Sequence, residues 1–120
     1  MNLLDIFENS DDLARFPAGG IILTEGQEGN NMYVVLDGEV TISLKSRLLA
    51  TARVGEIVGE MSMVSSNLRS ATVTAKTDCV LASIDQASFE SLLKHVPEFT
   101  IHIMNVLADR LQNAFEMIEE

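Results

Sequence analysis

One cysteine, Cys79, serves the whole 120-residue chain, so no intrachain disulfide can staple the fold. It sits in an apolar run, Cys79-Val80-Leu81, and is expected to be a buried small hydrophobe in a reducing compartment. Basic residues are also scarce. Eight Lys and Arg face 18 Asp and Glu, for a net charge of −10, and the eight are scattered. A nucleic-acid binder needs a basic face, so no nucleic-acid partner is expected. No run approaches the roughly 18 apolar residues of a membrane span. The start, Met1 to Glu8, lacks a basic region and carries Asp5, unlike a signal peptide. A cytoplasmic protein with no membrane partner is expected. Low-complexity tracts are missing too, and 47% of residues are apolar, which points to one folded domain over residues 1–120. A chain of this size can build its core without staples.

Catalytic constellations are likewise missing. His95 and His102 stand alone in helical segments, with no Cys or paired acid at metal-ligand spacing. Ser62 and Ser65 have no His in any recognised arrangement, and Glu56 and Glu60 form no motif pair. The expectation is no enzyme, no metal and no cofactor.

What is present is a series of short β-type runs between Leu13 and Ile84. Ile21–Thr24, Met32–Leu36, Glu39–Leu44, Leu48–Val54, Ser70–Ala75 and Val80–Ile84 read as strands. Val40, Ile42 and Leu44 share one face, and Thr41 and Ser43 the other. Asp37-Gly38 is a type I′ hairpin signal, and Ala18-Gly19-Gly20 and Gly29-Asn30-Asn31 read as loops. Many short strands with regular turns indicate a β-sandwich or jelly roll over residues 13–84.

The period becomes helical over residues 85–120. Asp85 suits an N-cap, and Ala87 to His95 reads as a short helix. Val96-Pro97 ends it, because the residue before proline disfavours the α region. Pro97 then opens a longer helix to about Ile118, with Glu98 at the favourable end of its dipole. Met104, Leu107, Leu111, Ala114 and Ile118 follow 3-4-3-4 spacing. This stripe either packs on the β domain or forms a short coiled-coil seam, and a homodimer through this helix is expected. Glu116, Glu119 and Glu120 crowd the wrong end of the dipole, so the last turn is expected to fray unless covered.

The segment richest in chemistry is Val58 to Thr72, V-G-E-M-S-M-V-S-S-N-L-R-S-A-T. Arg69 stands nine positions after Glu60, which leaves room for one helical turn. The N–H groups at the start of such a turn make an anion site. Arg69 adds a planar fork suited to phosphate. The Glu60 carboxylate can accept from a sugar hydroxyl. Together these features indicate a nucleotide ligand.

This segment resembles the phosphate-binding cassette of the cyclic-nucleotide-binding domain family. A second block, Ile22 to Val40, is similar to the family's early strand–turn–strand signature, with Gly26, Gly29 and Gly38 in the glycine places. The resemblance runs from about Phe7 to Ile118. It implies a mainly β fold with flanking helices: an eight-stranded jelly roll (a double-stranded β-helix) followed by a long C-terminal helix.

It also implies roles. Glu60 would take the ribose 2′-OH, and Arg69 the cyclic phosphate. Met61 and Ser62 would offer backbone N–H groups. Ser70 would place a hydroxyl near the phosphate or purine edge, or act as a plain strand serine. Gly59 marks close backbone approach or an ordinary strand end. Val58 and Ala71, with Met63, would line the purine, although Met63 is better suited to core filling. Arg110 aligns with an arginine near the nucleotide in one member, the catabolite activator, or is a solvated helix residue. That member's hydroxyl pair for the adenine amino group falls here on Ala114 and Phe115, which cannot hydrogen-bond a base. Asn113 could supply a polar contact instead, or Phe115 could stack.

The implied ligand is cAMP, with cGMP open, and the implied work is regulation of an unidentified protein effector. The alternative is a ligand-free interaction scaffold of the same fold. Loss of the glutamate or arginine would mark it, and Glu60 and Arg69 are both present. Transcription factors of the family carry a helix-turn-helix after the long helix, and this sequence is expected to lack one, since it stops at Glu120.

Overall fold

Alternation between buried and open positions builds the strands. In β4 (Val40–Leu44) Val40 and Ile42 point inward while Thr41 and Ser43 do not. β7 (Thr72–Ala75) buries Val73 and Ala75 in the same way. The remaining strands are β1 (Leu13–Phe16), β2 (Ile21–Leu23), β3 (Asn31–Asp37), β5 (Arg47–Ala52), β6 (Ile57–Val58) and β8 (Cys79–Asp85). This computed structural model describes residues 7, 12–64 and 68–119, with 62, 64 and 117–119 described by backbone alone. The sequence readings at Met1 to Glu8 (Phe7 aside), at Ser65 and at Glu120 lie outside the described residues, as does the side chain of Ile118.

The eight strands form two antiparallel four-stranded sheets, ordered β1-β8-β3-β6 and β2-β7-β4-β5. The sheets share one core. Val35, Val58 and Leu81 come from the first, and Leu23, Val40 and Val73 from the second. Each such side chain contributes roughly 1.5–3 kcal/mol on burial. Cys79 is in this core, 3% exposed, as its apolar neighbours indicated. The roll therefore matches the expected jelly-roll class, with eight strands followed by helices.

Several details of the β pattern differ from expectation. Asp37-Gly38 is not a hairpin turn. β3 pairs with β6 and β8, and β4 pairs with β5 and β7, so this turn carries the chain from one sheet to the other. Of the two turn residues only Gly38 takes positive φ, whereas a type I′ turn needs both. The two-residue hairpin lies instead at Lys45-Ser46, between paired Leu44 and Arg47, with φ of 50° and 68°. Neither residue favours that conformation. The Glu25 carboxylate catches the Lys45 N–H, at 3.1 and 3.2 Å, and accepts from Thr72 Oγ1 at 3.0 Å. Strand ends also shift. The run expected over Leu48–Val54 is Arg47–Ala52, and the one over Ser70–Ala75 begins at Thr72. A bulge between Ile42 and Ser43 breaks the register, and Leu44, expected on the inner face, is 38% exposed.

The contacts divide the chain into a β unit through Gln86 and a helical unit from Ala87 onward. α1 (Met61–Val64) is a single turn inside the β unit. α2 (Gln86–His95) follows Asp85 directly, and α3 (Pro97–Glu119) begins at proline as expected. Phe89 and Phe99 meet edge to face at 5.9 Å between ring centres, joining the two helices. On α3, Phe99 and Ile103 are buried. Of the expected stripe, Met104 is 62% and Leu111 57% exposed. Ala114 is exposed and Leu107 partly buried.

Candidate ligand-binding site

β6 is only two residues long, and its pairing with β3 (Tyr33↔Val58, Val34↔Ile57) brings Gly59 beside the start of β3. Gly59 has φ +82°, a conformation that side chains rarely adopt. A Cβ there would also lie 3.1 Å from Arg69 Nη1 and 3.3 Å from the Asn31 carbonyl oxygen. The conformation favours glycine, and a Cβ would press its neighbours. Glu60 follows, 1% exposed, and its carbonyl accepts from the Met63 N–H at 3.0 Å, which closes the turn of α1. Met61 and Ser62 are the first residues of that turn, where N–H groups lie outside a helix's own ladder.

Arg69 lies at the far end of the same insertion. The loop after β2 clamps its backbone from both directions. Its N–H donates to the Gln27 carbonyl at 2.7 Å, and its carbonyl accepts from the Gly26 N–H at 2.9 Å. A bridge between Glu28 and Leu68 continues the pairing. The side chain is 7% exposed, and its fork reaches Asn31. Nη1 donates to the Asn31 carbonyl at 2.7 Å and Nη2 to Asn31 Oδ1 at 3.1 Å. Nη1 also lies 3.5 Å from the Gly59 carbonyl. Burial holds the guanidinium below the ordinary arginine range, and Tyr33 opposes the shift. It remains a cation at neutral pH. A buried cation is costly unless oxygens surround it, and these carbonyls supply that shell.

Gly29 makes room for the fork. A methyl at Gly29 would lie 2.5 Å from Arg69 Nη2 and closer still to Nε and Cζ. The guanidinium thus occupies space that a side chain would otherwise fill.

The structure brings Arg69 against Gly59, the residue preceding buried Glu60. Other expected site residues are spread around this centre. Val58 is fully buried in the core, and Met63 is buried as well, as core filling requires. Ala71 is partly buried against the core, Ser70 is exposed and Met61 is 38% exposed. Arg110 lies on α3 in the helical unit and is partly buried. Sequence reasoning overlooked Asn31. It read as part of a Gly-Asn-Asn loop, and only its place at the head of an apolar strand hinted otherwise.

A two-sheet antiparallel roll whose one-turn insertion has a buried glutamate at one end and a buried arginine at the other defines a ligand-binding domain of the β-roll class. The sequence profile of the cyclic nucleotide-binding domain matches residues 13–96, and the chain belongs to that family. It is 33% identical over 79 residues to a cGMP-dependent protein kinase of Drosophila melanogaster, covering 66% of this chain and 7% of the kinase. It is 34% identical over 79 residues to the cAMP-dependent protein kinase regulatory subunit of Schizosaccharomyces pombe, covering 65% of this chain and 19% of the subunit. Its fold superposes on the catabolite activator protein of Thermus thermophilus with a TM-score of 0.80 at 27% identity, covering 97% of this chain and 55% of that one. The chain therefore spans a minor part of the two kinase relatives and about half of the activator. Among the described residues, no helix is long and apolar enough to cross a membrane.

Proposed function

We propose that this domain binds a cyclic nucleotide as a non-catalytic regulatory module. The observation that carries the reading is the buried, oxygen-caged Arg69 at one end of the α1 insertion, with buried Glu60 at the other. Arg69 offers a charge-assisted fork to the cyclic phosphate, and the N–H groups of Met61 and Ser62 add to it. Glu60 accepts from the ribose 2′-OH. Exposed Ser70 would offer a hydroxyl to the phosphate or purine edge, and partly buried Ala71 an apolar contact, with fully buried Val58 packed behind it. Arg110, on α3, is a further candidate contact that rests on the family resemblance alone. Names among the relatives include both cGMP- and cAMP-dependent proteins, and cAMP is the favoured ligand.

Binding does regulatory work only by favouring one of two states. The α1 insertion and α3 are the two-state element in this reading. Ligand charge draws the insertion inward, α3 repacks, and a protein effector reads the change. The exposed Met104 and Leu111 favour a homodimer seam along α3.

Calorimetric titration with cAMP, cGMP, AMP and GMP tests the reading. Cyclic nucleotides should bind and linear monophosphates should bind far more weakly. Arg69→Ala should weaken binding by about 2–4 kcal/mol while the domain stays folded. A parent that binds none of the four is instead a ligand-free scaffold of the same fold.

A further inference from the structure

We propose that Asn31 and Ser83 act as a positioning pair that sets the plane of the Arg69 guanidinium for phosphate; this rests on the cyclic-nucleotide reading above. Asn31 is the first residue of β3, and Ser83 lies on the neighbouring strand β8, whose register pairs Asn31 with Asp85 and Tyr33 with Ser83. Asn31 accepts one bond from each Nη: its carbonyl from Nη1 at 2.7 Å and its Oδ1 from Nη2 at 3.1 Å. Two bonds to one residue, out of five N–H donors, restrict the plane of a guanidinium as well as its distance.

The carboxamide is itself held. Its Nδ2 donates to Ser83 Oγ at 2.9 Å and lies 3.4 Å from the Tyr33 hydroxyl. A flipped amide would set its NH2 against the guanidinium donors, so the arginine fixes the orientation, and the Ser83 hydroxyl accepts from the Nδ2 that this orientation presents. Ser83 thus acts through Asn31, and Asn31 through Arg69. The side chains of a β3–β8 strand pair hold an arginine that belongs to a loop. The fork meets an incoming phosphate already oriented, which removes the cost of ordering a long side chain at binding.

The test uses the full chain with Asn31→Ala, Ser83→Ala and the double variant. Calorimetry with cAMP and cGMP is one arm, and NMR of the Arg69 guanidinium is the other. In the parent, slow rotation of the fork should give separate Nη signals. Asn31→Ala, which removes Oδ1 and keeps the carbonyl, should speed that rotation and raise Kd about tenfold. Ser83→Ala should raise Kd about threefold, and should add nothing once Asn31 is alanine. In an Arg69→Lys background, Asn31→Ala should no longer change Kd, which a general loss of stability would not reproduce. An unchanged or lowered Kd in Asn31→Ala, with the parent still binding, overturns the positioning role and leaves the functional reading standing. Unaltered Nη signals in Asn31→Ala overturn it as well. If the parent binds neither nucleotide, the functional reading falls, and the guanidinium signals alone decide whether the pair positions Arg69.

Discussion

Gly29→Ala is expected to displace the Arg69 side chain without replacing it. The methyl would land on the Arg69 guanidinium, 2.5 Å from Nη2 and nearer to Nε and Cζ. Both cannot stay. The backbone at Gly29 is not in the left-handed region, so alanine is tolerated there and the loop can keep its path. The arginine has a long side chain and can leave for solvent. The variant is thus expected to lose the fork while Arg69 remains in the sequence.

The magnitude follows from that exchange. Losing the phosphate contact costs about 2–4 kcal/mol, or roughly 30- to 1000-fold in Kd. Stability should change much less. Lost bonds to Asn31 destabilise, but the charge returns to water, and alanine restricts the unfolded chain by about 0.4–1 kcal/mol. Titration calorimetry with cAMP on Gly29→Ala, Arg69→Ala and the double variant gives the answer. Since each change removes the same contact, the double variant should bind no worse than Arg69→Ala alone. Parental affinity in Gly29→Ala, or additive losses in the double variant, would refute the steric argument.

Glu60→Gln should cost about 1–2 kcal/mol of binding, and more for a ligand with a 2′-OH than for its 2′-deoxy analogue; equal losses would remove Glu60 from the ribose. Leu111→Glu should convert a dimer to a monomer in sedimentation with little change in Tm, because like charges would face each other across the seam. A parent that sediments as a monomer with and without nucleotide ends that idea. Replacing Lys45-Ser46 by Asn-Gly should stabilise the domain by about 1 kcal/mol, read as a higher Tm, since both residues sit at positive φ. An unchanged or lower Tm would show that Glu25 already offsets the strain.

The strands that the sequence displayed are those with local alternation. Val40-Thr41-Ile42-Ser43 can be read from four letters, because the inner face wants apolar groups and the outer face does not. β6 could not be read that way. Ile57-Val58 is too short to show a period, and it exists because β3 supplies its partners from far along the chain. The Asp37-Gly38 signal was a true turn attached to the wrong pairing. A turn dipeptide specifies that the chain reverses, but not whether the next strand joins the same sheet. Lys45-Ser46 shows the converse, with a hairpin made from residues lacking the propensity and held by the carboxylate of Glu25, 20 residues away. Propensity is a weak prior there, and a tertiary hydrogen bond outweighs it.

The same division runs through the site. Glu60 and Arg69 stood out in the sequence because their chemistry is carried by residue type: a carboxylate and a guanidinium flank a one-turn insertion, and such groups are seldom buried unless paired. Asn31 and Gly29 were not legible as partners of Arg69, because what they contribute is relational. Gly29 matters by leaving a volume empty, and Asn31 by presenting two oxygens to a fork 38 residues away. Neither property can be seen in a Gly-Asn-Asn triplet, which reads equally well as an ordinary loop. Only the pairing of β3 with β6 and β8 sets that triplet against Arg69. Residues such as Glu60 and Arg69 can therefore be picked out by sequence chemistry, while their neighbours Gly29 and Asn31 come from sheet topology.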